Sequence, residues 1–409
     1  MSWMSGLYRT PPIYIAGGRG ASFTDVDNNE YLDFNLCDLS MTIGYGNDAV
    51  ADALDGQARR GAQFLLPTED SVVVSEILAR RMGLPFWQFT LSASGSNTEV
   101  IRIARFMTKR PRIVIFGGHY HGHIEETLVR EEHGHSVAET AGLSPGSAAH
   151  TTIIPFNDLP ALEQTLAAGD VALVLTEPVM TNCNLIMPEP GFHRGIRELT
   201  ERYGTLLCID EAHTFQFAFG GLSNEWQLAP DFIVLGKGLG SGMAFGLYGM
   251  TDAVADCFTR HVDADFGPRG IATGGTTYGS ALATAVARVV LEAVLTAGAY
   301  ARVRCLGAML ADGLEAAFRS HGLPWKAFRC GPRTGYCLES VLPRTGTDGL
   351  RSLDNEFIDT RRVFMANRGI WEAVASAGPQ ASIAHTNGDI AAYVSAADEF
   401  LDRIITEWQ

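Results

Sequence analysis

Two residues at the ends of two apolar runs could do chemistry here. Leu206 to Asp210, LLCID, is a short apolar run ending in an acid. Phe232 to Leu235 is a second such run, and Lys237 stands just past it, between Gly236 and Gly238. Runs of this length without polar alternation suit strands buried on both faces. Ligands of open α/β sheets gather at the carboxyl ends of such strands, so the acid and the lysine are expected to converge on one place. Desolvation by apolar neighbours lowers the pKa of a lysine towards its nucleophilic amine form, and flanking glycines let a flat ring come close, which together suit Schiff-base chemistry. An acid opposite suits the protonated ring nitrogen of pyridoxal phosphate, whose action as an electron sink depends on that proton. A buried Asp–Lys ion pair with no cofactor would use the same two residues, so the rest of the chain must decide.

The elements around them supply more of a pocket. FTLSASGSNTEVIRIARFMTKR reads as a strand, a turn of small residues and a helix with Val100, Ile103, Ala104 and Met107 on one face. Small residues leading into a helix N-terminus make a phosphate cradle, because free N–H groups and the helix dipole point at the anion; the same pattern also serves as an ordinary N-cap. RIVIFGGHYHGH is a buried strand running into a turn. His119, His121 and His123 would share a face and could bind a metal only if that strand continued, and Gly117, Gly118 and Gly122 argue that it does not. VALVLTEPVM is an apolar strand ending at Glu177-Pro178, and PGFHRGIRELTERYG is the crossover helix returning the chain to LLCID. Helices are expected over 48–61 and 70–82. The stretch 124–150 loses periodicity and reads as a mobile loop or lid over the site.

Taken in order, DEAHTF, Pro230-Asp231 and LGKGLGSGMAFGLYG resemble the signature of the class III, fold type I pyridoxal phosphate aminotransferases, and within them the glutamate-1-semialdehyde 2,1-aminomutase branch. The resemblance runs from about residue 10 to 406. It implies that Lys237 forms the Schiff base and then acts as general base, that Asp210 pairs with the pyridinium nitrogen, and that His213 lies against one face of the ring. Ungapped alignment of SASGSN to the family's S-G-[ST]-E-A-N makes Ala93 and Ser94 the phosphate-binding pair, with Ala93 where a glycine is usual. Tyr120-His121-Gly122 match the family's Y-H-G, with the Tyr120 ring stacked on the cofactor. Glu177 falls on the family's E-P-[VI] and joins the catalytic set. IATGGTTYGSALA resembles G-T-x-x-G-N-P, which implies a homodimer in which Thr276 reaches the phosphate of the partner's cofactor. Cys37-Asp38-Leu39 replaces the aminomutases' Ser-Trp-Gly, so Asp38 is either a substrate contact or a solvated loop acid. The Q-F-E of aminomutases has no clear match in EAVASAGPQ. No arginine follows DEAHTFQFAFGG to hold a substrate carboxylate, which leaves Arg9, Arg329 and Arg333 as possibilities.

The implied fold is a large domain (51–290) with a mostly parallel seven-stranded sheet flanked by helices, and a smaller α+β domain from both termini (1–50 and 291–409). The chain's 409 residues, 46% hydrophobic and 19% charged, suit such a globular architecture. A net charge of -15 argues against a nucleic-acid partner. Seven scattered cysteines without a CxxC pair read as free thiols. The opening MSWMSGLYRT has neither a basic leader nor an apolar core, and no run approaches a membrane span, so a cytoplasmic enzyme is expected. The reaction ranked first is amino transfer between an amine donor and a carbonyl acceptor. The alternatives are a 2,1-aminomutase, an amino-acid racemase on the same fold, and a cofactor-binding protein without turnover.

Overall fold

The computed structural model describes residues 13–144, 146–261, 270–372 and 378–407. The N-terminal meander is β1 (Ile15–Arg19), β2 (Ser22–Asp25) and β3 (Glu30–Asp33), antiparallel in sequence order. Asn28 takes a left-handed φ of 65° in the β2–β3 turn, a conformation that asparagine tolerates well.

The central sheet is built from β4 (Phe86–Thr90), β5 (Arg112–Phe116), β8 (Thr151–Ile154), β9 (Val171–Thr176), β10 (Leu206–Asp210), β11 (Phe232–Leu235) and β12 (Gly246–Met250). Its order is β4-β12-β11-β10-β9-β5-β8. The block from β11 to β8 is parallel throughout, and β12 runs antiparallel to both its neighbours. All six residues of β9 and all four of β11 are buried, as strands covered by helices on both faces must be. Three apolar clusters pack on the sheet. One joins β9, β11 and β12 to the Ala93–Thr108 helix, a second joins β5 and β9 to the Phe192–Tyr203 helix, and a third joins β11 and β12 to the helices Glu69–Met82 and Ala281–Val289. The parallel register brings Asp210, the last residue of β10, level with Val234 of β11, and Lys237 follows three residues later. The acid and the lysine thus leave the same edge of the same sheet.

The stretch expected to be a mobile loop over 124–150 is corrected in part: it contains a hairpin, β6 (Val129–Glu132) and β7 (His135–Ala138). Its two-residue turn, His133-Gly134, has φ of 51° and 79°, the doubly left-handed turn whose twist matches a hairpin.

The hairpin β13 (Lys326–Cys330) and β14 (Arg333–Cys337) packs beside the Ala297–Ser320 helix, which in turn packs on the Asn387–Glu407 helix. Phe34, from the N-terminal segment, is buried in the same cluster as Leu306, Leu310, Tyr336, Tyr393 and Phe400. The two-residue β15 (Ile370–Trp371) pairs in parallel with β3, so the two ends of the chain share one sheet. Among the described residues no single helix is long and apolar enough to cross a membrane.

Candidate active site

A cavity of about 350 Å³ opens at the carboxyl edge of the sheet. Its walls include Asp38, Ala93, Ser94, Tyr120, His121, Glu177, Asp210, His213 and Lys237, which is every expected site residue except Thr276. Thr276 lies on an exposed turn, where its carbonyl accepts a hydrogen bond from Gln63 at 2.9 Å. That turn is tied to the cradle helix, because Gly274 N–H donates to Glu99 Oε1 at 2.8 Å.

Asp210 is 4% exposed, and its carboxylate is fully engaged. Oδ2 accepts from Asn97 Nδ2 at 2.8 Å and pairs with His121 Nδ1 at 3.0 Å, while Oδ1 accepts from Ala212 N–H at 3.0 Å. Burial alone would raise this carboxyl; the His121 and Asn97 hydrogen bonds and the charge of His121 outweigh it and hold the group below its usual range. An ionised acid at the bottom of a buried pocket is what a protonated ring nitrogen requires. Although it lines the cavity, His121 spends its Nδ1 on the acid, so its bond orients Asp210.

The strand, small-residue turn and helix expected around Ala93 and Ser94 are present. The helix begins at Ala93, and Ser92 caps it by accepting from Gly95 N–H at 3.2 Å. The first-turn N–H groups at Ala93 and Ser94 have no preceding turn to bond, and they face the cavity end of the helix. Ser94 Oγ accepts from His123 N–H at 3.1 Å, joining the cradle to the Tyr120–His123 loop. Gly122 makes that approach possible: it sits at φ 100°, and a Cβ there would lie 2.2 Å from Ser94 Oγ. His119, by contrast, is fixed between the carbonyls of Phe116 and Thr127, at 2.9 and 2.7 Å.

Lys237 lies at φ 47° in the short turn after β11, and its Nζ donates to Asp38 Oδ2 at 2.7 Å. Asp38 is therefore no solvated loop acid. Its carboxyl is held below the usual range: burial opposes ionisation, but Lys237, His213 and Arg333 outweigh it. The path that delivers it is costly. Leu36, Cys37, Asp38 and Leu39 all have φ between 51° and 67°, four consecutive non-glycine residues in the left-handed region. Buried Asp33 anchors the turn by accepting from Asn35 N–H and Leu36 N–H at 2.7 and 2.9 Å, and Leu36 and Leu39 are buried at 0% and 2% exposure.

Glu177 and His213 meet through Thr181, a residue that the sequence reading did not single out. Thr181 Oγ donates to Glu177 Oε2 and lies 2.6 Å from His213 Nδ1. Burial pushes Glu177 up to about 7, against the attraction of His121. Burial, helped by the charge of Lys237, pulls His213 down to about 3. Of the three arginines considered for a substrate carboxylate, Arg9 lies outside the described residues and Arg329 is exposed. Arg333 is 1% exposed, its Nη1 lies 3.5 Å from Gln380 Oε1, and its charge acts on Asp38, Glu177 and His213.

A lysine, an ionised acid held by a histidine, a small-residue helix N-terminus and an exposed tyrosine around one cavity form a site suited to a phosphorylated pyridine aldehyde. Comparison with known proteins agrees. The profile of the family Aminotransferase class-III matches residues 5–324. The chain is 35% identical to a glutamate-1-semialdehyde 2,1-aminomutase of Anaeromyxobacter dehalogenans over 330 residues, 78% of this chain and 74% of that one. A solved glutamate-1-semialdehyde-aminomutase from Pseudomonas aeruginosa superposes with a TM-score of 0.93 at 36% identity, over 98% of this chain and 90% of the other. An omega-transaminase from Sphaerobacter thermophilus gives 0.89 at 27% identity, over 97% and 93%. The chain belongs to the class-III aminotransferases, enzymes of fold type I that depend on pyridoxal phosphate.

The cradle carries the first expectation. Gly122→Ala is expected to weaken binding of pyridoxal phosphate to the apoprotein by about tenfold or more, because the added methyl must displace Ser94 from the helix N-terminus. Fluorescence titration of the apoprotein checks it, and unchanged affinity would separate this loop from the phosphate.

Proposed function

We propose that the protein moves an amino group between adjacent carbons of one small substrate, as a 2,1-aminomutase does, using Lys237 at the cofactor. The observation that carries this reading is the likeness to aminomutases over nearly the whole chain, at 36% identity and a TM-score of 0.93. It takes precedence over the transfer between two molecules that the sequence alone put first. Site chemistry supports it as well. Asp38 places a negative charge 2.7 Å from the reactive nitrogen, which disfavours a carboxylate next to the reacting carbon. A semialdehyde carries only its amine and carbonyl there.

When bound, pyridoxal phosphate supplies the electron sink that makes the amine-bearing carbon acidic. Ala93 and Ser94 would hold its phosphate, Tyr120 and His213 its ring faces, and Asp210 the proton on its ring nitrogen. Lys237 Nζ would hold the cofactor at rest and, once free of it, would serve as the base that takes the proton from the amine-bearing carbon of the substrate. Asp38 keeps Nζ aimed at that carbon. Thr276 would serve the partner's cofactor in a homodimer, which fits its place on an exposed turn.

One observation favours an intermolecular aminotransferase instead: Asp38 stands where the aminomutases carry Ser-Trp-Gly. The deciding experiment follows the visible spectrum and the products of the holoenzyme with glutamate-1-semialdehyde, then with amine donors and keto-acid acceptors. Isomerised product without a released carbonyl compound supports the mutase. A stoichiometric free carbonyl product from a separate donor replaces it with the aminotransferase, inversion of one enantiomer with the racemase, and bound cofactor inert to every amine with a non-catalytic role.

A further inference from the structure

Thr181 has one hydroxyl proton and two buried neighbours that compete for it. It is 0% exposed, between Glu177 Oε2 and His213 Nδ1, and its backbone N–H also donates to Glu177 Oε2 at 3.2 Å. Glu177 and His213 line the cavity and Thr181 does not, so Thr181 links the two from behind. A carboxylate can only accept and a carboxylic acid can donate, while a neutral imidazole donates from one nitrogen and accepts at the other. With Glu177 titrating on Oε2, the oxygen nearest Thr181, these rules leave two self-consistent patterns. With Glu177 ionised, Thr181 donates to it and accepts from His213 Nδ1–H, which leaves a lone pair on Nε2. With Glu177 protonated, its proton goes to Thr181 Oγ and the threonine proton goes to Nδ1, which puts the hydrogen on Nε2.

We propose that Thr181 is a positioning residue whose single proton couples the charge of Glu177 to the tautomer of His213, so that the cavity meets an acceptor at Nε2 when Glu177 is ionised and a donor when it is not. The groups around the pair set where the exchange falls. Glu177 faces His121, Asp210, Asn182, Cys183 and Arg333; His213 faces Lys237, Asp38, Arg333 and Asp210. Burial places the Glu177 titration at about 7 and keeps His213 neutral down to about 3, so the imidazole changes tautomer in that interval without changing charge. The hydrogen-bonding character of one wall of the cavity therefore depends on pH through a residue that does not line the cavity.

The test is ¹⁵N NMR of the resting holoenzyme labelled in histidine, with the His213 signals assigned by their loss in His213→Gln. Wild type is expected to move from Nδ1–H at pH 8.5 to Nε2–H at pH 5.5 with a midpoint near 7. Thr181→Ser keeps the exchange; Thr181→Val and Glu177→Gln hold one tautomer across the range. A single tautomer in wild type at both pH values overturns the proposal, as does an exchange that survives in Glu177→Gln. The second of these arms needs no change at Thr181, so misfolding of the valine variant does not decide the question.

Discussion

Lys237→Ala is expected to lower kcat by about a thousandfold or more while the protein still folds and retains cofactor, because it removes both the covalent attachment and the group that moves the proton. The geometry makes this lysine irreplaceable from within the chain. The sequence holds three lysines, Lys109, Lys237 and Lys326. Lys109 is exposed at the far end of the cradle helix with its ammonium 3.7 Å from the Phe106 ring centroid, and Lys326 is exposed on β13, 3.7 Å from Glu315. Only Lys237 lines the cavity. Its surroundings are closed to substitution: a Cβ on Gly236 would lie 3.2 Å from Ala93, and one on Gly238 would lie 2.5 Å from Gln216 Oε1. Borohydride reduction of the holoenzyme followed by peptide mapping gives the complementary readout, with label expected on the peptide containing Lys237. Label on Lys109 or Lys326, or an alanine variant within tenfold of wild type, would overturn the assignment.

Asp210→Asn should cost nearly as much, a loss of about a hundred- to a thousandfold in kcat, with the fold retained. The carboxamide has the same shape, but its single oxygen serves either Ala212 N–H or the two side-chain donors, so one side is left facing an amide donor. It has no negative charge, so it cannot hold a proton on a ring nitrogen, and His121 loses its carboxylate partner in a fully buried position. Two buried donors, Asn97 Nδ2 and His121 Nδ1, then converge on a group that offers one acceptor oxygen and one amide of its own. Single-turnover spectroscopy after rapid mixing with substrate separates the effects: the chemical step slows even where cofactor loading is complete. A rate within twofold of wild type would show that Asp210 does not act on the cofactor.

Asp210, Lys237 and the Ala93–Ser94 cradle were legible in the sequence because each ends or begins a local element: two apolar runs and one helix start. The same held for the sheet, whose buried parallel strands announce themselves by runs such as VALVLT. Asn97 lies one helical turn beyond Ala93, on the side that faces the sheet, and that spacing could have marked it as a partner for the acid. Thr181 carried no such signal; its role exists only because β9 and β10 are neighbours, which sets the loop after Glu177-Pro178 beside His213. Asp38 stood out by its chemistry, yet its route did not. Nothing in Leu-Cys-Asp-Leu marks left-handed backbone, which is ordinarily read from glycine or asparagine. The hairpin within 124–150 was missed for the opposite reason, since His133-Gly134 is a turn signal between strands too short and too exposed to show alternation.

The turn from Leu36 to Leu39 bears on how this enzyme can change. At roughly 1–2 kcal/mol for each left-handed non-glycine residue, four in a row tie up about 4–8 kcal/mol, comparable to the whole margin by which a folded domain exceeds its unfolded chain. The side chain of Cys37 is exposed and free of disulfides, so a glycine at that position would release part of the strain without emptying the core. The tolerance of this protein to further substitution therefore depends in part on the turn that carries Asp38. A lineage that relaxes the turn gains room to absorb destabilising changes elsewhere, and its new specificities would be expected to arise first around Asp38.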